Sequence, residues 1–132
     1  MLRLEIVTPE KRVIDADVDA VTVPTASGEV GILPAHAPLV SALKPGVLAY
    51  SIKGSNERLA VSGGFVEVNN DRVAVLVDSA ESADEIDALT ARTDRETAEK
   101  GLTSGGPITA EEAELGREGV ELADAMLAVA GR

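Results

Sequence analysis

The chain has no cysteine, no tryptophan, one histidine and only two aromatic residues, Tyr50 and Phe65. Without cysteine there are no disulfide staples and no thiolate chemistry, so packing alone must hold a core. A single histidine, His36, excludes a multi-histidine metal site. Few aromatics and no basic stripe argue against nucleic-acid binding, which needs stacking platforms and clustered cations. No apolar run approaches the length of a membrane span, and Met1 to Glu5 alternates like a strand rather than a signal peptide. The expectation is a soluble, intracellular chain with no direct membrane insertion.

Charge is abundant but one-sided. The 132 residues carry a net charge of −11. Residues 1–80 hold ten acids and seven bases, whereas residues 81–132 hold thirteen acids and five bases. The acidity therefore belongs mainly to the second part, as a solvated helical surface would show. The length suits one domain, or a small domain with an appendage.

The periodicity changes along the chain. Leu2, Leu4 and Ile6 alternate with polar neighbours, as do Val21 and Val23 before Pro24. Further β-branched runs lie at 47–52, 59–61, 65–68 and 73–77, separated by Lys44-Pro45-Gly46, Lys53-Gly54-Ser55-Asn56 and Asn69-Asn70-Asp71. Residues 1–82 are expected to form a β sandwich or flattened barrel of about ten short antiparallel strands. From Ser82 the pattern is helical. Ser82-Ala83-Asp84-Glu85 and Thr109-Ala110-Glu111-Glu112 fit capping boxes, each opening a helix. The first is expected to stop at Gly101 with Leu102 as the following apolar contact, and 103–107 to link it to a second helix ending near Ala130. Residues 83–132 thus read as an antiparallel two-helix hairpin, with Leu115, Leu122, Met126 and Val129 as one thin stripe and only Ile86 and Leu89 on the first helix. Such a hairpin cannot make a core alone and must lie on the strands or on a partner.

The chemistry-bearing residues point away from catalysis. His36 has no nucleophile or second histidine beside it, so it reads as a loop or interface residue. Asp15, Asp17 and Asp19 alternate, which places all three on an exposed strand face rather than in a metal site. Gly63-Gly64 lacks the lysine and spacing of a phosphate loop. Two glycines there call for a bulge, a bend or a closely approaching neighbour. With no nucleophile–base pair, an enzyme is not expected, and no cofactor is expected. On these residues alone, a free-standing β-sandwich adaptor or small-ligand sensor with a helical tail stays open.

The most distinctive segment is Gly28-Glu29-Val30-Gly31-Ile32-Leu33-Pro34-Ala35-His36-Ala37-Pro38-Leu39, which mixes two prolines, two glycines and the lone histidine with apolar residues. Proline fixes φ and glycine permits angles that others avoid, so this stretch is extended, interrupted at Pro34 and Pro38, and presents Glu29 and His36 in set directions. It resembles the first signature of the epsilon subunit of rotary, proton-driven ATP synthases. Ser62-Gly63-Gly64-Phe65-Val66-Glu67-Val68 resembles the second, and the order of strands, signatures and two helices matches across nearly the whole chain. The resemblance implies a non-catalytic rotor subunit of a bacterial enzyme, peripheral on the cytoplasmic face of the cell membrane. Its implied partners are the gamma subunit and the c-ring, and the alpha and beta subunits through the tail. The implied interface is Glu29, Gly31, Ile32, Leu33, Pro34, His36, Pro38 and Leu39 with Ser62, Gly63, Gly64 and Phe65, Glu29 facing the ring.

Two departures from the family pattern matter. Some bacterial members bind ATP through Ile-Asp-x-x-Arg-Ala; here the stretch is Ile86-Asp87-Ala88-Leu89-Thr90-Ala91, with threonine in place of the arginine. The missing guanidinium is the group that would fork onto phosphate, and Arg92 lies roughly 200° further round a helix. A degenerate site at Ile86, Asp87 and Ala91 with weak or absent ATP binding is expected. Inhibition by the terminal helix uses basic residues in relatives, yet from Ile108 onward this chain has six acids against Arg117 and Arg132. Acidic loops would repel it, so any inhibition is expected to be weak or to rest on Leu122, Met126 and Val129.

Overall fold

Alternation in Leu2-Arg3-Leu4-Glu5-Ile6 puts every second side chain into one core, and in the computed structural model Leu2, Leu4 and Ile6 are fully buried while Arg3 faces out. The structure describes residues 1–103 and 109–131. Among these, the strands are β1 (Leu2–Val7), β2 (Arg12–Val18), β3 (Ala20–Thr25), β4 (Gly28–Ile32), β5 (Leu39–Leu43), β6 (Gly46–Ile52), β7 (Ser55–Val61), β8 (Gly64–Asn69), β9 (Arg72–Val77) and β10 (Ala80–Glu81). They form one curled sheet in the order β10-β7-β6-β3-β5-β8-β9-β1-β2, with β4 on β3. Its β2 edge comes back to β6, where the Asp19 N–H just past β2 donates to the Ser51 carbonyl at 2.7 Å, so the sandwich is a nearly closed barrel. Helices α1 (Ala88–Thr103) and α2 (Ala110–Ala130) follow.

The expected ten strands are present, with one difference in pairing. β1 lies parallel to β9, from Arg3↔Arg72 to Val7↔Leu76, while the other ladders are antiparallel. Hairpin turns predict only sequential neighbours, and the first strand meets the ninth because the sheet curls round. The turns themselves are tight. Lys53 and Gly54 (φ 50 and 81), like Asn70 and Asp71 (φ 50 and 61), have the paired positive φ of two-residue hairpins. Pro24 marks where β3 changes partner. Ala20 to Thr22 pair with β6, Thr25 pairs with β5, and the residue without an N–H stands between.

The aspartate row is shorter than its spacing suggested. Asp15 and Asp17 are exposed on β2 and both meet Arg3, at 2.7 and 3.4 Å. Asp19 lies past the end of β2, where its carboxylate accepts the Lys53 N–H at 2.7 Å and braces that turn.

The helices also depart from expectation at their ends. Ser82 to Glu85 closes only an isolated turn: the Glu85 carboxylate accepts the Ser82 N–H and hydroxyl, both at 3.1 Å. The first helix opens five residues after Ser82, on Asp87. Gly101 does not stop it, since α1 runs on to Thr103 with Leu102 inside it. The expected link lies, beyond Thr103, outside the described residues. Thr109 does cap α2, accepting the Glu112 N–H at 3.0 Å.

The tail packs through small residues together with part of the expected stripe: Val129 and Met126 take part, Leu115 does not. Ala123, Ala125 and Val129 are the buried positions of α2, Met126 is half-buried, and Leu115 is left exposed. On α1, Ala91 is buried and Leu89 exposed. Ala125 and Val129 sit on Ala60 of β7, with Val47, Ile86 and Met126 around them. Arg58 donates to the Ala128 carbonyl at 2.9 Å, a cation at the negative end of the helix. The two glycines of α2 are where α1 crosses. A Cβ on Gly116 would lie 2.8 Å from Leu102, and one on Gly119 3.1 Å from Ala98. Arg95 extends the antiparallel contact to Asp124 at 2.6 Å.

Candidate functional site

The first signature folds as a strand and a turn. β4 ends at Ile32, whose side chain is fully buried and so offers only backbone to any partner. Leu33 to His36 then closes a turn, with the His36 N–H on the Leu33 carbonyl at 3.1 Å. Pro34 occupies the second position and Ala35 the third at φ 67, the sign a type II turn demands there. The Ala35 N–H donates to the Asp71 carboxylate at 2.7 Å. His36 Nδ1 lies 2.6 Å from the Ala37 carbonyl, which can only accept, so this nitrogen carries the proton. Leu33, Pro34 and Pro38 are exposed, while Leu39 is half-buried against the core.

The second signature begins at the other end of the same strand pair. β5 and β8 are antiparallel, with Leu39 opposite Val68 and Leu43 opposite Gly64. The turn and the glycine pair are thus separated by the length of β5, about 13 Å. Ser62 is engaged internally, its Oγ accepting the Ser79 N–H at 2.9 Å. Gly63 lies under the Leu43 carbonyl. Gly64 is closer still, because a Cβ there would be 2.0 Å from the Leu76 carbonyl oxygen. The glycine pair therefore marks a closely approaching neighbour.

Glu29 belongs to the glycine end. It pairs opposite Pro24 on β3, is exposed, and lines a groove of about 520 Å³ with Lys44, Pro45 and the α2 carboxylates Glu121 and Asp124. Gly31 is exposed on β4. Glu29 and His36 thus occupy different ends of the barrel.

Of the surface between them, sequence reading found Phe65 but not its neighbours. Register aligns Ala42, Phe65, Leu76 and Val7 in one row across β5, β8, β9 and β1, all on the outer face. Phe65 is 59% and Leu76 54% exposed, and Val40 beside them is 74% exposed. α2 continues this surface: Leu115, 63% exposed, faces Phe65 across a cleft of about 490 Å³. Towards Asp71 the face turns charged, at Glu67, Arg72, Arg3 and Glu5. Outward apolar residues at alternate strand positions were the available signal, but pairing across four strands is not written in any one of them.

The Ile86-to-Ala91 stretch opens α1. Ile86 is half-buried and Ala91 buried, whereas Thr90 and Arg92 are exposed. Asp87 caps the helix, accepting the Leu89 and Thr90 N–H groups at 3.0 and 3.3 Å. Its carboxyl is held below the usual aspartate range, chiefly by the Thr90 bond. The group is already engaged by backbone. Its stabilising effect is full above the ordinary value of about 3.9 and is lost as pH falls through the lower folded value. Asp87→Ala should therefore reduce helicity by circular dichroism at neutral pH, and parent and variant should converge in strong acid. A difference that does not vary with pH would contradict the cap.

Among the described residues, no helix is long and apolar enough to cross a membrane. The family model for the ATP synthase delta/epsilon chain, beta-sandwich domain, matches residues 1–83. The chain is 53% identical over 104 residues to the ATP synthase epsilon chain of Desulforamulus reducens, covering 79% of each. It is 50% identical over 105 residues to that of Desulfosudis oleivorans, again 79% of each. Among solved structures it resembles a chain of the Euglena gracilis mitochondrial ATP synthase OSCP/F1/c-ring assembly, with a TM-score of 0.81, 27% identity, and coverage of 96% of this chain and 79% of that one. A chain of the Tetrahymena thermophila mitochondrial ATP synthase central stalk/c-ring shares the fold, with a TM-score of 0.65 at 16% identity.

Proposed function

Since the chain belongs to the ATP synthase epsilon-chain family, we propose that it is the central-stalk part that fastens the gamma subunit to the c-ring, on the cytoplasmic face of a bacterial membrane. It does no chemistry itself. Its task is mechanical, and the residues it needs are those of a stiff coupling. One body, residues 1–82, would carry the docking surfaces, and residues 83–132 would form a regulatory or stabilising tail. The observation that carries this reading is the exposed row of Ala42, Phe65, Leu76 and Val7 with Val40 alongside. A row of large apolar side chains left in water on a rigid sheet is a protein-docking surface by its chemistry. We assign it to the apolar surface of gamma, and Glu29 at the barrel end to the polar loops of the c-ring.

Stiffness follows from the packing. The row stands on strands whose inner faces, Val66, Val68, Val73 and Val75, are almost completely buried. A load applied to Phe65 therefore meets a close-packed interior that deforms little. Mixing the purified chain with its gamma subunit should give a one-to-one complex by size-exclusion chromatography with light scattering. Separate elution of the two at micromolar concentration would contradict the proposal.

A further inference from the structure

We infer that Asp71, which lies outside both signature segments, is the positioning residue that sets the Leu33–Pro38 turn for docking. The inference rests on the proposed function in so far as that turn is a docking element. Its basis is a single long-range bond with two unusual ends. At one end, Ala35 holds a left-handed φ of 67, a conformation glycine takes freely and alanine resists. At the other, Asp71 is itself held at φ 61 in the two-residue turn between β8 and β9. Its carboxylate accepts the Ala35 N–H at 2.7 Å, a charge-assisted bond across 36 residues of sequence. Its carbonyl accepts the Arg3 N–H at 2.8 Å, which ties the hairpin tip to β1.

The placement has a mechanical consequence. β8 carries the second signature, and Asp71 stands at the tip of the hairpin that β8 enters. The carboxylate therefore joins the first signature's turn to the second signature's strand, although their exposed residues lie at opposite ends. Without it, Ala35 loses the acceptor that offsets its unfavourable backbone, and His36 and Leu33 lose their fixed direction. Asp71 is exposed and fills no part of the core, so its loss should disorder the turn without unfolding the barrel.

The test titrates purified chain into membranes whose ATP synthase lacks this subunit, reading the concentration that half-restores ATP-driven proton pumping, with the melting temperature of each variant beside it. Asp71→Gly, which removes the carboxylate but takes that residue's own left-handed φ freely, should raise that concentration by about tenfold while leaving the melting temperature near the parent's. Asp71→Ala should raise it similarly but melt a few degrees lower, because alanine resists φ 61. Asp71→Asn, which keeps an acceptor oxygen, and the double change Asp71→Gly with Ala35→Gly, which removes the backbone penalty, should both recover most of the loss. Leu33→Asp serves as the control on the turn's docking role and should be weak. If Asp71→Gly titrates like the parent while Leu33→Asp is weak, positioning by Asp71 is wrong and docking by the turn stands. If Leu33→Asp also titrates like the parent, both are wrong. Failure of Asp71→Asn and of the double change to recover would equally overturn the positioning role.

Discussion

Gly64→Ala should lower the melting temperature by roughly 10 °C. The new methyl would lie 2.0 Å from the Leu76 carbonyl oxygen and 2.9 Å from Val77 Cα, both backbone atoms that cannot rotate aside. β8 and β9 would have to separate where Gly64 pairs with Val77. β9 cannot easily retreat, because its other edge is hydrogen-bonded to β1. Overpacking of this kind costs about 3 kcal/mol, and for a domain of this size each kcal/mol is worth roughly 4 °C. Gly101→Ala is the matched control. Nothing lies within 4 Å of its Cβ position, so it should leave the barrel intact and stabilise α1 by up to about 1 kcal/mol. Equal melting of the Gly64→Ala variant and the parent would show that the two strands do not approach this closely.

The second large effect is on association. Phe65→Asp combined with Leu76→Asp should weaken binding to the gamma subunit by roughly a hundredfold, since buried aromatic anchors dominate protein interfaces. Both side chains are more than half exposed in the isolated chain, so folding loses little when they change. Titration calorimetry with gamma, alongside thermal melts, separates the two contributions. An unchanged affinity would remove the apolar row from the docking surface.

Much of this architecture can be read from particular residues. Leu2, Leu4 and Ile6 declare a half-buried strand, and Lys53-Gly54 and Asn70-Asp71 declare tight turns, because each signal is local. The parallel pairing of β1 with β9 is not local, and no turn residue encodes it. Ser82 to Glu85 shows how a good local signal can mislead. Only half of the box forms: the Glu85 carboxylate accepts the Ser82 N–H, but the Ser82 hydroxyl donates to that carboxylate and the Glu85 N–H goes to the Ser82 carbonyl. The helix waits for Asp87, whose carboxylate takes two amides. Gly101 misleads in the opposite sense: a glycine near a helix end stops it only if the chain turns left-handed there, and Leu102 packing over Gly116 keeps α1 going.

The candidate site divides in the same way. Signature residues could be named from sequence, and Gly64 was legible as a position that something crowds. Their grouping was not. Residues 28–39 and 62–68 suggested one surface, whereas pairing of β5 with β8 sets the Leu33–Pro38 turn and the glycine pair at opposite ends, with an apolar row lying between strands. Ile32, in the middle of a signature, turns its side chain into the core because strand alternation sends it inward. Asp71 escaped notice because its role depends on a residue 36 positions away.

The most direct measurement is proton-driven ATP synthesis in membranes whose ATP synthase lacks this subunit, with and without the purified chain. A mechanical link between shaft and ring predicts that the intact chain restores synthesis in proportion to the amount bound. Full binding with no recovery of synthesis, or full synthesis before the chain is added, would contradict it.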